Sequence, residues 1–288
     1  MITVEQVEIQ VNNRRLLHNI TFTAQPGQVT GLIGPNGAGK STLLASISGD
    51  LKPTAGQIRV ANLDPYATDP ATLARSRAVM LQDTAVAFEY LARDIVAMGQ
   101  RVWARPNEEL IDAAMAATDT MHLGAREVPT LSGGERARVA LARVLAQNAP
   151  VILLDEPTAA LDISHQLQVL HLIRELARRT QATVLVVLHD LNAAAAFCNH
   201  IVCVSNGGIA ALGSVEEVYT SEVLSQVYQY PLQVSRQEGH IQVIPQQPSL
   251  SDFQSIERIL DFHAHDRSTN LPRPRRNLAR RPNGASAN

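Results

Sequence analysis

An α/β fold is predicted, with a mainly parallel core sheet, an antiparallel β-subdomain at the N-terminus and an inserted helical subdomain. Three observations predict it. Continuous apolar runs of strand length at residues 29–33, 151–154 and 183–188 are separated by helical segments and followed by polar residues, as buried parallel strands are. Residues 3–11 and 20–24 instead alternate apolar and polar side chains, the period of strands with one solvated face. Between residues 83 and 149, apolar residues recur at helical spacing with little strand signal, which marks the insertion.

Taken in order, Asn12-Asn13-Arg14 reads as the turn between the first two strands, and Pro26-Gly27 punctuates the entry to the third. The helix that follows is stopped by Gly49 at a C-cap position, and Lys52-Pro53-Thr54-Ala55-Gly56 turns the chain into a strand at residues 57–60. Residues 77–81 form another buried strand, which ends at Gln82. In the insertion the apolar spacing runs through Leu91, Ile95 and Met98, then Leu110, Ala113, Ala114 and Ala117, then Val139, Ala140, Val144 and Leu145. Residues 163–179 carry Leu167, Leu170, Ile173 and Leu176 on one face, an amphipathic crossover helix. Strands at 201–205 and 209–212 flank Gly207-Gly208, and two short helices near 215–219 and 222–228 precede a hairpin at 232–244. Residues 1–245 are thus expected to form one domain, and residues 246–288, rich in Arg, Pro and Asn, a disordered tail.

The 288 residues carry a formal net charge of −2, so no general attraction to nucleic acid or anionic lipid is expected. Cys198 and Cys203 lack metal-site spacing and suit reduced thiols in a core. No signal peptide opens the sequence, and no apolar run approaches the roughly 18–20 residues that span a bilayer. If the protein works at a membrane, other subunits are expected to do the spanning.

The stretch Gly34-Pro35-Asn36-Gly37-Ala38-Gly39-Lys40-Ser41-Thr42 follows a strand and opens a helix, the context of a phosphate-binding P-loop. Its glycines let backbone N–H groups face a polyphosphate, and the helix N-terminus adds partial positive charge. Lys40 is expected on the β- and γ-phosphates and the Ser41 hydroxyl on Mg²⁺. Lys40 and Lys52 are the only lysines in an arginine-rich chain, so a compact ammonium is kept at this point. Asp155 and Glu156 end an apolar strand, where Asp155 would complete the Mg²⁺ environment and Glu156 would polarise the attacking water. His189 and Gln82 also end strands; by themselves they read equally as structural polar residues. Leu131-Ser132-Gly133-Gly134-Glu135 precedes a long helix and forms a second anion-binding N-terminus. Two such sites can share one γ-phosphate only by facing each other across two subunits.

Together these motifs resemble the ATPase subunit of an ABC transporter over residues 1–244. Residues 34–42 match the family's Walker A motif, 151–156 its Walker B motif with the catalytic glutamate, and 131–135 its LSGGQ signature, with Glu135 in place of Gln. Gln82 falls at the Q-loop, Ala159-Ala160-Leu161-Asp162 at the D-loop and His189 at the switch histidine. The resemblance implies that Glu156, His189, Gln82 and Lys40 act in hydrolysis, and that Ser41, Gln82 and Asp155 surround Mg²⁺. It implies a head-to-tail dimer in which ATP lies between one copy's Walker A and the Ser132, Gly133, Gly134 and Asp162 of the other. A permease dimer would contact the region of Gln82 and the helices after it, placing the chain on the cytoplasmic face of the membrane, with a substrate-binding protein as an indirect partner. The family's adenine-stacking aromatic is replaced by Val11, so a tyrosine there is expected to tighten ATP binding.

Residues 88–99 with Arg101, the stretch Ala160 through Gln166, and His189-Asp190-Leu191-Asn192 resemble importers of iron chelates, haem and cobalamin. Residues 142–147 and 227–245 look most like the haem branch, with ferric siderophore and cobalamin as alternatives. Exporter ATPases are disfavoured by the importer-like helical segment, and soluble ABC ATPases of translation or DNA repair by the single P-loop and short insertion. His263 and His265 lack a third ligand and read as solvated residues, as do Arg273, Arg275, Arg276, Arg280 and Arg281.

Overall fold

The computed structural model describes residues 1–81, 89–237 and 239–247. Gln82, Phe88, His263, His265 and the arginines from Arg273 to Arg281 lie outside these residues.

Strands β1 (Ile2–Val11) and β2 (Arg14–Ala24) form an antiparallel hairpin around Asn12 and Asn13, both at positive φ. Asparagine tolerates that conformation, so two residues suffice for the turn. The turn is therefore shorter than expected, with Arg14 already paired to Val11 in the strand. Next come β3 (Val29–Ile33), α1 (Lys40–Ser48) and β4 (Ala55–Val60), which pairs antiparallel with β1. Gly49 ends α1 in the left-handed conformation, as expected of a C-cap glycine. Helix α2 (Pro70–Ser76), absent from the sequence reading, is capped by Asp69 with proline at its first position, and β5 (Arg77–Met80) follows directly.

The insertion contains α3 (Ala92–Met98), α4 (Glu108–Ala117) and α5 (Gly133–Ala146). Leu91 caps α3 rather than lying within it, and α4 buries Ile111, Ala114 and Met115 rather than the face through Leu110, Ala113 and Ala117. Helix α5 is apolar on two sides. Val139, Ala142 and Ala146 join the core of the insertion, while Ala140, Leu141 and Val144 join the core beneath the sheet. Burial on both sides fixes α5 between the two cores, each buried Leu or Val contributing about 1.5–3 kcal/mol.

The remaining elements are β6 (Val151–Asp155), α6 (Ile163–Thr180), β7 (Thr183–Val187), α7 (Leu191–Phe197), β8 (His200–Ser205), β9 (Gly208–Ser214), α8 (Val215–Val218), α9 (Ser221–Tyr228) and the hairpin β10 (Leu232–Gln237) and β11 (His240–Pro245). Helix α6 buries Val169, Leu170, Ile173 and Ala177, while Leu167 is exposed. The six-stranded sheet runs β5-β6-β7-β3-β8-β9, parallel throughout except for β9. Its side chains alternate between two apolar layers. Ile152, Leu154, Val184 and Val186 face α5 and α6, and Val151, Leu153, Leu185 and Val187 face α1 and the N-terminal sheet. Register sets the functional edge: Leu32 pairs with Val187, which pairs with Asp155, so the ends of β3, β7 and β6 emerge side by side. Among the described residues, no helix is long and apolar enough to cross a membrane.

Candidate functional site

The loop leaving β3 turns at Gly34 (φ 144°), where a Cβ would lie 2.0 Å from the Val204 carbonyl oxygen. Only glycine fits, and the same holds at Gly39 (φ 107°), whose Cβ would press on Leu17 at 2.5 Å. Gly39 caps α1 without a side-chain bond, and no acidic residue occupies the first turn. The first N–H groups of α1 are thus left for an anion. Lys40, the first residue of α1, is 6% exposed and donates to the carbonyls of Gly34 (2.8 Å) and Pro35 (3.0 Å). Burial lowers the affinity of its ammonium for a proton, and Glu156 and Asp155 oppose that loss.

Asp155 ends β6 at 5% exposure, and its Oδ1 is buried without a hydrogen-bond partner. Burial first, and then the adjacent Glu156, push its carboxyl above the ordinary range, while the Ser41 hydroxyl and Lys40 draw it back. A buried carboxylate oxygen with no donor, beside a hydroxyl, is an arrangement that Mg²⁺ completes. Such an ion takes one or two carboxylates and fills its other positions with water and phosphate oxygens. Ser41 and Asp155 therefore fit Mg²⁺ bound together with a nucleotide.

Glu156 sits at positive φ (50°), a conformation uncommon for this residue type, and its N–H donates to the Val187 carbonyl at 3.2 Å. That turn directs the side chain to His189, whose Nε2 contacts Glu156 Oε1. The Glu156 side chain is 12% exposed and that of His189 is 44% exposed. Asn36, Gly37, Lys40, Ser41, Glu156 and His189 line one cleft of ≈ 470 Å³. Residues from three separate parts of the sequence thus meet at the edge that the sheet register created.

Ser132, Gly133, Gly134 and Asp162 do not line this cleft. Ser132 caps α5 in a reciprocal capping box: its Oγ accepts from the Glu135 N–H (3.2 Å), and Glu135 Oε2 accepts from the Ser132 N–H (2.7 Å). Asp162 caps α6, accepting from the His165 N–H at 3.0 Å and lying 2.8 Å from His165 Nδ1. These two helix starts pack together, since a Cβ at Gly134 would come within 3.0 Å of the Ala160 carbonyl oxygen. Gln82 lies outside the described residues. The sequence reading missed His165 as the partner of Asp162; its position three residues into α6 is the signal that would have found it.

Residues 17–159 match the family model described as ABC transporter. The chain is 49% identical to a hemin import ATP-binding protein of Nocardia farcinica over 226 residues, covering 77% of this chain and 78% of that protein. It is 40% identical to a cobalamin import ATP-binding protein of Halobacterium salinarum, covering 77% of this chain and 57% of that one. Among solved structures it resembles a metal-chelate type ABC transporter in an inward-facing conformation, at TM-score 0.73 and 28% identity, over 86% of this chain and 98% of that one. A dimeric ATP-binding cassette in a post-hydrolysis state with ADP and phosphate is similar at TM-score 0.68 and 26% identity, over 75% and 99% of the two chains.

Proposed function

Because the chain belongs to the ABC transporter family, as its ATP-binding subunit, we propose that it hydrolyses ATP to energise hemin uptake through a membrane permease. The single observation that carries the cargo is the 49% identity to the Nocardia farcinica hemin import protein across most of both chains. Cobalamin is the second reading, favoured by the 40% identity to the Halobacterium salinarum protein.

In this reading Lys40 exchanges its two carbonyl partners for phosphate oxygens, stronger acceptors for an ammonium. Ser41 and Asp155 would hold Mg²⁺, which would neutralise part of the phosphate charge. Glu156 is the general base that takes a proton from the attacking water, and His189 orients its carboxylate through their direct contact. Walker A residues 34–42 wrap the polyphosphate with backbone N–H groups, and Gln82, outside the described residues, would act in hydrolysis. Ser132, Gly133, Gly134 and Asp162 of a second copy close over the γ-phosphate, a reading supported by the dimeric form of the similar cassette. Closure moves a permease dimer fed by a substrate-binding protein, with this subunit peripheral on the cytoplasmic face. Residues 1–245 would carry all of this, and residues 246–288 a tail outside the ATPase domain.

Reconstitution with its permease tests the cargo. ATPase stimulation by hemin-loaded binding protein, and not by siderophore- or cobalamin-loaded protein, is expected. Stimulation by one of the others alone would replace hemin with that cargo.

A further inference from the structure

Glu135 is the third residue of α5, and a carboxylate there satisfies the helix N-terminus. The same carboxylate offsets the partial positive charge that would draw an anion to residues 132–134. Both of its oxygens are engaged, Oε2 by the Ser132 N–H at 2.7 Å and Oε1 by Arg126 Nη1 at 3.2 Å. The Ser132 N–H bond, ahead of other causes that include Arg126, holds the Glu135 carboxyl below the ordinary range, so its charge persists at working pH.

Arg126, whose side chain is 46% exposed, has partners beyond the ion pair. Its Nη2 donates to the Thr130 carbonyl at 3.0 Å, its N–H to Leu123 O at 2.8 Å, and its own carbonyl accepts from the Ala92 N–H at 2.9 Å. An exposed ion pair held this way contributes little to stability, since solvent screens it. Its consequence is local: a cation sits on the carboxylate that bonds the Ser132 N–H.

We propose that Arg126 is a positioning residue for ATP hydrolysis: it pins Glu135 against the start of α5 and cancels a negative charge that would otherwise repel the γ-phosphate. This rests on the reading that residues 132–134 engage the γ-phosphate of a second copy.

Steady-state ATP hydrolysis by the full-length chain tests it. Arg126→Gln should raise KM for ATP by about tenfold with a smaller effect on kcat, because Glu135 then loses the cation bonded to it and keeps only the smaller influence of Arg138. Glu135→Gln should lower KM about twofold, because the arginine is left unpaired. The double variant should return toward the starting KM, and Arg126→Lys should stay close to it. An ion pair serving stability alone predicts an unchanged KM, or shifts of the same sign, in both single variants, and either result overturns the proposal. Should Arg126→Gln not fold, a raised KM in Glu135→Gln does so by itself. Gly133→Asp tests the underlying reading separately: its Cβ would meet only the Ala160 Cβ at 3.7 Å, so it folds and should lose hydrolysis. Normal hydrolysis by Gly133→Asp removes the reading; an inactive Gly133→Asp without opposite KM shifts removes Arg126 alone.

Discussion

The starts of α1 and α5 are both glycine-rich helix N-termini suited to phosphate, yet one is unfinished and the other locally complete. At α1 there is no side-chain cap and no acidic residue, and the nearby Asp155 Oδ1 is buried without a partner. At α5 the capping box closes on itself, and Arg126 neutralises its carboxylate. The difference follows from position. The first site lies at the carboxyl edge of a buried sheet, which holds Lys40 and Asp155 out of water until ligands replace it. The second stands at the surface of the insertion, where an unsatisfied cap would bind water instead of waiting for a partner. In the proposed reading a ligand completes the first site, and a second copy of the chain would give the second one its use.

The largest effects should come from removing charge at the first site. Lys40→Ala should abolish nucleotide binding, read by equilibrium titration with ATP. Glu156→Gln should keep binding and slow hydrolysis by about 10²–10⁴-fold, the usual contribution of a general base, and near-normal turnover would remove Glu156 from that role. At the rim, Val11 is 38% exposed at the end of β1. Val11→Tyr should tighten ATP binding by about 1–3 kcal/mol if a ring there stacks on adenine, and an unchanged Kd would end that expectation.

Smaller effects separate the two regions by stability. Asp155→Asn should raise the thermal stability of the nucleotide-free chain by about 1 kcal/mol, since it removes a desolvated charge with an unbonded oxygen, while abolishing Mg²⁺-dependent hydrolysis. Ser132→Ala should instead lower thermal stability, costing about 1 kcal/mol through the lost cap. Melting temperatures without nucleotide compare the two directly. A destabilised Asp155→Asn would mean that the first site is already satisfied.

Much of this contrast was legible in the sequence. The apolar runs that became β3, β6 and β7 gave the sheet, and the P-loop with Asp155 and Glu156 gave the first site, because strand ends and glycine turns are local signals. Helix α7 was not legible, since a run of alanines between Leu191 and Phe197 shows no apolar period. The face of α4 was misread because its packing against α3 and α5 selects Ile111 and Met115, a tertiary choice. The early half of β2 was hidden by irregular pairing with β1, where register shifts and positive φ at Gln6 and Asn19 break the alternation. Arg126 carried no motif signal, because its meaning depends on meeting Glu135 nine residues later.

Association of the Glu156→Gln chain, measured by sedimentation with and without ATP and Mg²⁺, tests the half-site most directly. The account predicts a monomer that dimerises on adding ATP, with dimerisation abolished by adding Gly133→Asp. An ATP-saturated chain that stays monomeric would contradict it.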